Sequence, residues 1–360
     1  MIVPEAIPNL GPLLVGAPLA AGLTEGPAAP ARASRFVLPG IASEATATRA
    51  ADWLCFRVRA VANGEAAGTP TLDLLRVQAG WPGAIKLALV PGTPAVLEVR
   101  AELFVPESGP DPAQVQQTLA ALAAALVVLA VRCGAGVPPA TSRVPCGAGV
   151  SPAPPAAPAD PSGPGSRMLN VKMRPQSDSD WPARARPDGS LEVSLEPGGA
   201  SGSAVLIPEP VAASSFPAQE DDPPASRREV GTATTTLSGS IAQPFRATVH
   251  LLELERFDTP LAQRALAFFL FRLNAAVRGA RASVAGQDDT AAVVLEAHGH
   301  DAASEAEVAA VLSSLSVACR LAGTAAEALN DWELSRHYLA VMGGEPPDTE
   351  TANHNPDTNT

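Results

Sequence analysis

Apolar residues recur along this chain in two blocks, and in each the period switches between two and about 3.6. In the first block Leu54, Phe56 and Val58 alternate with Arg57 and Arg59, the spacing of a half-buried strand. A short helix is expected to open at Thr69-Pro70, where the threonine caps free N–H groups and proline fills the first helical position. Ile85, Leu87 and Leu89 then alternate with Lys86 and Ala88. After the turn Pro91-Gly92-Thr93-Pro94, Leu97, Val99 and Leu103 alternate with Glu98, Arg100 and Glu102. That pattern predicts an antiparallel hairpin with one buried face. Asp111-Pro112 starts a closing helix with Val115, Leu119, Leu122, Leu126 and Leu129 on one side.

The second block repeats this order. Leu191, Val193 and Leu195 alternate after Asp188-Gly189, and Ala204–Ile207 and Thr248–Leu254 read as two more strands. Thr259-Pro260 opens a longer helix with a stripe at Leu266, Phe269, Leu270, Leu273 and Val277, stopped by Gly279. A weaker hairpin is expected over residues 280–285 and 291–298. Ser304-Glu305-Ala306-Glu307 reads as a capping box before a second closing helix, and a last helix spans Asp331 to Val341. The blocks share short phrases. Leu75-Arg76-Val77-Gln78 and Gly83-Ala84 match Phe271-Arg272-Leu273-Asn274 and Gly279-Ala280, and Val96-Leu97-Glu98-Val99 matches Val294-Leu295-Glu296-Ala297. The expected fold class is therefore α+β: two related domains, each an antiparallel sheet with helices packed on one face in β…αββα order.

Composition places the boundaries. The 360 residues include 37 prolines and 29 glycines, more than two packed cores use. Prolines crowd residues 134–166, a semi-extended Pro/Ala/Gly-rich linker between domain 1 (33–133) and domain 2 (167–342). A second Pro-rich loop, about 208–228, carries Glu220-Asp221-Asp222, and 343–360 forms a disordered acidic tail. Residues 1–32 are compatible with either a strand or a short helix around Leu13–Val15. The net charge of −12 and the lack of a basic stripe with aromatics argue against nucleic acid. The longest apolar run, Thr118 to Val131, is short for a membrane span, and no secretory leader is legible, so a cytoplasmic protein with no membrane association is expected. Four cysteines form no framework: Cys55 and Cys319 read as core residues, and Cys133 and Cys146 belong to a repeated linker phrase.

The order of elements, with Leu-Leu-Arg-Val-Gln-Ala-Gly and Leu-Phe-Arg-Leu-Asn-Ala-Ala-Val-Arg-Gly-Ala-Arg-Ala-Ser-Val at the helix-to-strand corners, resembles the type III secretion chaperone-like fold, the CesT and YbjN-like group. The resemblance covers roughly residues 50–132 and 168–341. Block one departs from it, with Gln78 in the Asn position and a shorter helix. It implies binding rather than catalysis: a chaperone-like or adaptor module whose tandem halves imitate a dimer within one chain. The alternative is a structural or regulatory scaffold with no client groove.

Candidate chemistry is sparse, and no catalytic, cofactor or metal residues are assigned. His298-Gly299-His300 places two imidazoles on one strand face without a third ligand, so a polar strand end is the preferred reading. Gly198-Gly199-Ala200-Ser201-Gly202 is followed by a strand rather than the helix a phosphate loop needs. His250, Glu253 and Glu255 read as a solvent-facing edge. On the helix 260–277, Phe268 and Phe271 fall outside the core stripe with Arg264 and Arg278. That face is either buried against the protein's own elements, with Trp332 and Tyr338 as candidate covers, or is a surface for a protein client or self-association.

Overall fold

The computed structural model describes residues 33–132, 181–209 and 235–342, less 39–40, 42, 51, 60–70, 84, 91–95, 107–108, 196–201, 238–239, 287–289 and 301–302. The expectations for residues 1–32, the linker 134–166, the loop from 210 to 228, the tail 343–360, the Gly198–Ser201 stretch, the Pro91–Pro94 turn and the Thr69-Pro70 cap lie outside the described residues.

The fold is α+β with two antiparallel sheets. The first runs in the order β1-β2-β3-β5-β4, from β1 (Ala33–Val37), β2 (Glu44–Ala50), β3 (Trp53–Arg59), β4 (Ile85–Val90) and β5 (Val96–Phe104). Helix α1 (Leu72–Ala79) precedes its hairpin and α2 (Pro112–Arg132) follows. The second sheet is ordered β11-β12-β10-β8-β7-β6-β9. Its strands are β6 (Trp181–Ala185), β7 (Leu191–Ser194), β8 (Ser203–Pro208), β9 (Thr235–Leu237), β10 (Phe245–Glu253), β11 (Ala280–Ala285) and β12 (Ala292–Gly299). Helix α3 (Pro260–Ala276) precedes the β11–β12 hairpin; α4 (Glu305–Ala328) and α5 (Trp332–Met342) follow it. The order helix, strand, strand, helix is thus the same in both blocks.

Local chemistry explains the helix ends. Thr259 Oγ1 accepts from the Ala262 amide at 3.1 Å with Pro260 in the first turn. Asp111 Oδ1 accepts from Ala113 at 2.9 Å, and Ser304 Oγ accepts from Glu307 at 3.2 Å. Helix α1 is capped by Thr71, through Leu74 at 3.4 Å, so it starts two residues later than the Thr-Pro phrase suggests. The capping box is half made. Glu307 turns its carboxylate to the backbone N–H and Nδ1 of His300, at 2.8 and 2.7 Å, instead of back to Ser304.

Each closing helix packs on its own sheet, α2 against β5 and α4 against β12 and β10. The opening helices cross over. Helix α1 packs chiefly on β11 of the second block, and α3 chiefly on β4 of the first. One hydrophobic core therefore runs through both blocks, from Phe36, Phe56 and Leu103 to Phe245, Leu266 and Leu315.

This exchange corrects the expectation of a hairpin with one buried face. Lys86, Arg100 and Glu102 alternate with apolar residues as a solvated face would, yet all three are buried. Their face looks onto the end of α3 rather than onto water. A second correction concerns length: α2 offers a window from Pro112 to Ala130 long and apolar enough to cross a membrane, and α4 offers another. The apolar run is extended by a first turn and a half that carries no charge. Both helices lay an apolar stripe on a sheet.

Candidate functional site

Strands β4 and β11 are the edges at which the two sheets meet, and an edge presents unpaired backbone groups. Two side-chain amides supply the partners. Gln78, at the end of α1, accepts from the Leu87 amide at 2.5 Å and donates to the Ala282 carbonyl at 2.8 Å. Asn274, at the end of α3, accepts from the Ala282 amide at 2.6 Å and donates to the Leu87 carbonyl at 3.0 Å. Each amide thus bonds β4 and β11 at once. The Gln78 that departs from the corner phrase performs the same task as Asn274.

Two buried ion pairs flank this staple. Lys86 Nζ donates to Glu102 at 2.7 Å and to the carbonyls of Val277 and Ala280 at 2.5 and 3.0 Å. Glu102 also accepts from the Gly279 amide at 2.6 Å. Reciprocally, Arg281 donates to Glu296 at 2.9 Å and to the carbonyls of Trp81 and Ile85 at 3.0 and 2.9 Å. Arg100, paired with Glu98 at 3.1 Å, reaches the Ala275 carbonyl at 2.8 Å. Lys86 and Arg100 therefore receive carbonyls at the end of α3, where the helix dipole favours positive charge, while Arg281 meets the corner between α1 and β4.

Burial sets the electrostatics here. It pushes the Lys86 ammonium below the ordinary lysine value, against the pull of Glu102. Burial likewise lowers Arg281, against Glu296. Burial and then the Glu102 charge raise the Cys55 thiol, whose sulfur lies 3.9 Å from that carboxylate. No reactive thiolate is built at this position.

The residues singled out from sequence fall elsewhere. Phe268 and Phe271 are buried, Arg264 is half-buried and Arg278 exposed. This corrects the reading of Arg264, Phe268, Phe271 and Arg278 as a partner or self-association face: α3 is sandwiched between β4, β11 and α5, so its apolar girdle is consumed inside the chain. Tyr338 packs edge-on to Phe269, not to Phe268 or Phe271, while Trp332 is exposed beneath Arg336. His298 and His300 diverge. His298 is buried and meets Glu209 at 2.8 Å, whereas His300 meets Glu307. Among the described residues no three His, Cys, Asp or Glu side chains are grouped to hold a metal ion. His250 and Glu253 form an exposed pair at 3.1 Å.

Sequence reasoning missed the seam of Lys86, Glu102, Arg281 and Glu296. The available signal was a charged residue on each edge strand with an acid on the neighbouring strand of its hairpin.

No protein-family model matches the chain, and neither a curated protein nor a solved structure matches it.

Proposed function

We propose that this chain is a non-enzymatic, cytoplasmic protein-binding module of chaperone-like or adaptor type, its two blocks forming a dimer-like body within one polypeptide. The observation that carries the reading is the outer face of α2. From Pro112 to Val131 the helix has no charged residue, and Val127 and Val128 on that face are 46% and 42% exposed. Val317 and Leu321 are similarly open on α4. The inner stripe of α2 is already spent on β5, so a second apolar face is available to bind an apolar client segment. The polar seam fits the same reading, because Lys86, Glu102, Arg281 and Glu296 are spent on joining the two blocks.

The test is fluorescence of a dye that binds exposed apolar surface, with a peptide array read in parallel. Wild-type protein is expected to bind both. Val127→Asp with Val128→Asp is expected to abolish binding at unchanged melting temperature. A wild-type protein that takes up neither dye nor peptide is instead the scaffold of the rival reading, for which the burial of Phe268 and Phe271 speaks.

A further inference from the structure

The face of the first sheet turned away from α2 carries a row of cations. Strand register places Arg35 beside Thr46, Thr46 beside Arg57, Arg57 beside Arg100 and Arg100 beside Lys86. Four of five positions in one cross-strand row are therefore basic, on a chain whose net charge is −12. Like charges directly opposite one another destabilise a sheet unless something neutralises them. The inner two are neutralised, Lys86 by Glu102 and Arg100 by Glu98. The outer two are not equally served. Arg35 has a loose contact to Glu44 at 3.5 Å, with both side chains mostly in solvent. Arg57 has no carboxylate at ion-pair distance among the described residues, and its Nε is buried without a hydrogen-bond partner. Arg59, two residues further on the same face, is exposed.

We propose that this outer half of the sheet, Arg35, Arg57 and Arg59 around Thr46, is a docking surface for an extended acidic peptide segment. Guanidinium groups bind carboxylates in paired hydrogen bonds, and Arg35 and Arg59 present theirs to solvent. Two strand spacings separate Arg35 from Arg57, about 9.6 Å. Acidic side chains three residues apart in an extended chain of polyproline-II conformation lie on one side and repeat at about 9.3 Å, which matches that interval. Val37, on the same face and 68% exposed, offers an apolar contact beside the cations. Charge complementarity favours a peptide over nucleic acid, because the overall charge of −12 repels a dense phosphate backbone, whereas a few spaced carboxylates meet only the local row. This surface is separate from the outer face of α2.

The experiment is anisotropy of a fluorescein-labelled ten-residue peptide with glutamate at every third position, titrated with the full chain at low and physiological salt. Saturable binding is expected, weakened at the higher salt. Arg35→Gln with Arg59→Gln, both solvent-facing, is expected to weaken it at least tenfold, as is Arg57→Gln if its melting curve is unchanged. Arg320→Gln, exposed on α4, is expected to stay within twofold, and Val127→Asp with Val128→Asp to have no effect. The proposal is overturned by absence of saturable binding to wild type, by an Arg35/Arg59 variant that binds as well as wild type, or by equal loss in Arg320→Gln. Tighter binding of an oligothymidylate of equal charge, lost in the same variants, would also overturn it and mark a nucleic-acid surface.

Discussion

Lys86→Met is expected to be among the most damaging single substitutions in the chain. The side chain is 1% exposed and its ammonium has three acceptors: Glu102, Val277 O and Ala280 O. Methionine fills most of the volume but leaves the Glu102 carboxylate buried with only the Gly279 amide and the weak Cys55 thiol beside it. Breaking one side of a buried pair costs about 3–5 kcal/mol, most of it the stranded charge. Neutralising the stranded group tests that origin. In Lys86→Met with Glu102→Gln, the amide oxygen still accepts from Gly279, and roughly half of the loss is expected to return. The assay is urea unfolding followed by tryptophan fluorescence, since Trp53 and Trp81 are both buried, Trp53 against Gly279 and Trp81 beside Arg281. With a slope of about 3 kcal/mol per molar, the single variant shifts the midpoint by roughly 1–1.7 M. A shift below about 0.3 M, or a double variant no more stable than the single one, would refute the reasoning.

Two further substitutions probe the corners and the acid side. Gly279 and Gly83 occupy matching corners, each with positive φ (69° and 60°), but a Cβ at Gly279 would lie 2.3 Å from the Trp53 ring while Gly83 faces open space. Gly83→Ala is expected to cost about 1–2 kcal/mol from backbone strain alone, and Gly279→Ala about 1–3 kcal/mol more; equal melting temperatures would contradict the close approach of the blocks. Burial pushes His298 below its ordinary 6.5, against the pull of Glu209, so the unfolded chain binds more protons between the folded value and 6.5. Stability from this group is therefore full above 6.5 and falls as pH drops through that window. Burial works to raise Glu209, but its contacts with His298 outweigh it and lower the carboxyl below 4.5, adding a loss at still lower pH. The melting temperature of wild type is expected to fall between pH 7 and 5, with a flatter profile in His298→Gln; parallel profiles would refute the assignment.

Much of the fold was legible because it is written in local pattern. The caps at Thr259, Asp111 and Ser304, the alternation in β3, β4, β5 and β7 and the shared corner phrases all report short-range physics. Strands β1, β2, β6 and β9 were not anticipated. In β2, Ala45 and Ala47 supply the buried positions, and alanine alternating with threonine gives almost no hydrophobic contrast. The larger miss is long-range. Lys86, Arg100 and Glu102 carry the alternation of a solvated face, and nothing within ten residues says that α3, nearly 200 residues away in sequence, will cover them. For the same reason the face of Phe268 and Phe271 stayed open between burial inside the chain and a surface for a partner. A helix apolar all round is buried all round, and sequence periodicity does not say by what.

The crossing of α1 and α3 makes each block's hairpin depend on the other block's helix, which can be tested by separating the blocks. Residues 33–133 and 167–342, expressed apart and followed by circular dichroism and sedimentation, are expected to be poorly folded alone and to assemble one-to-one with native-like spectra when mixed. Two halves that each fold cooperatively as monomers and ignore one another in the mixture would contradict the reciprocal seam.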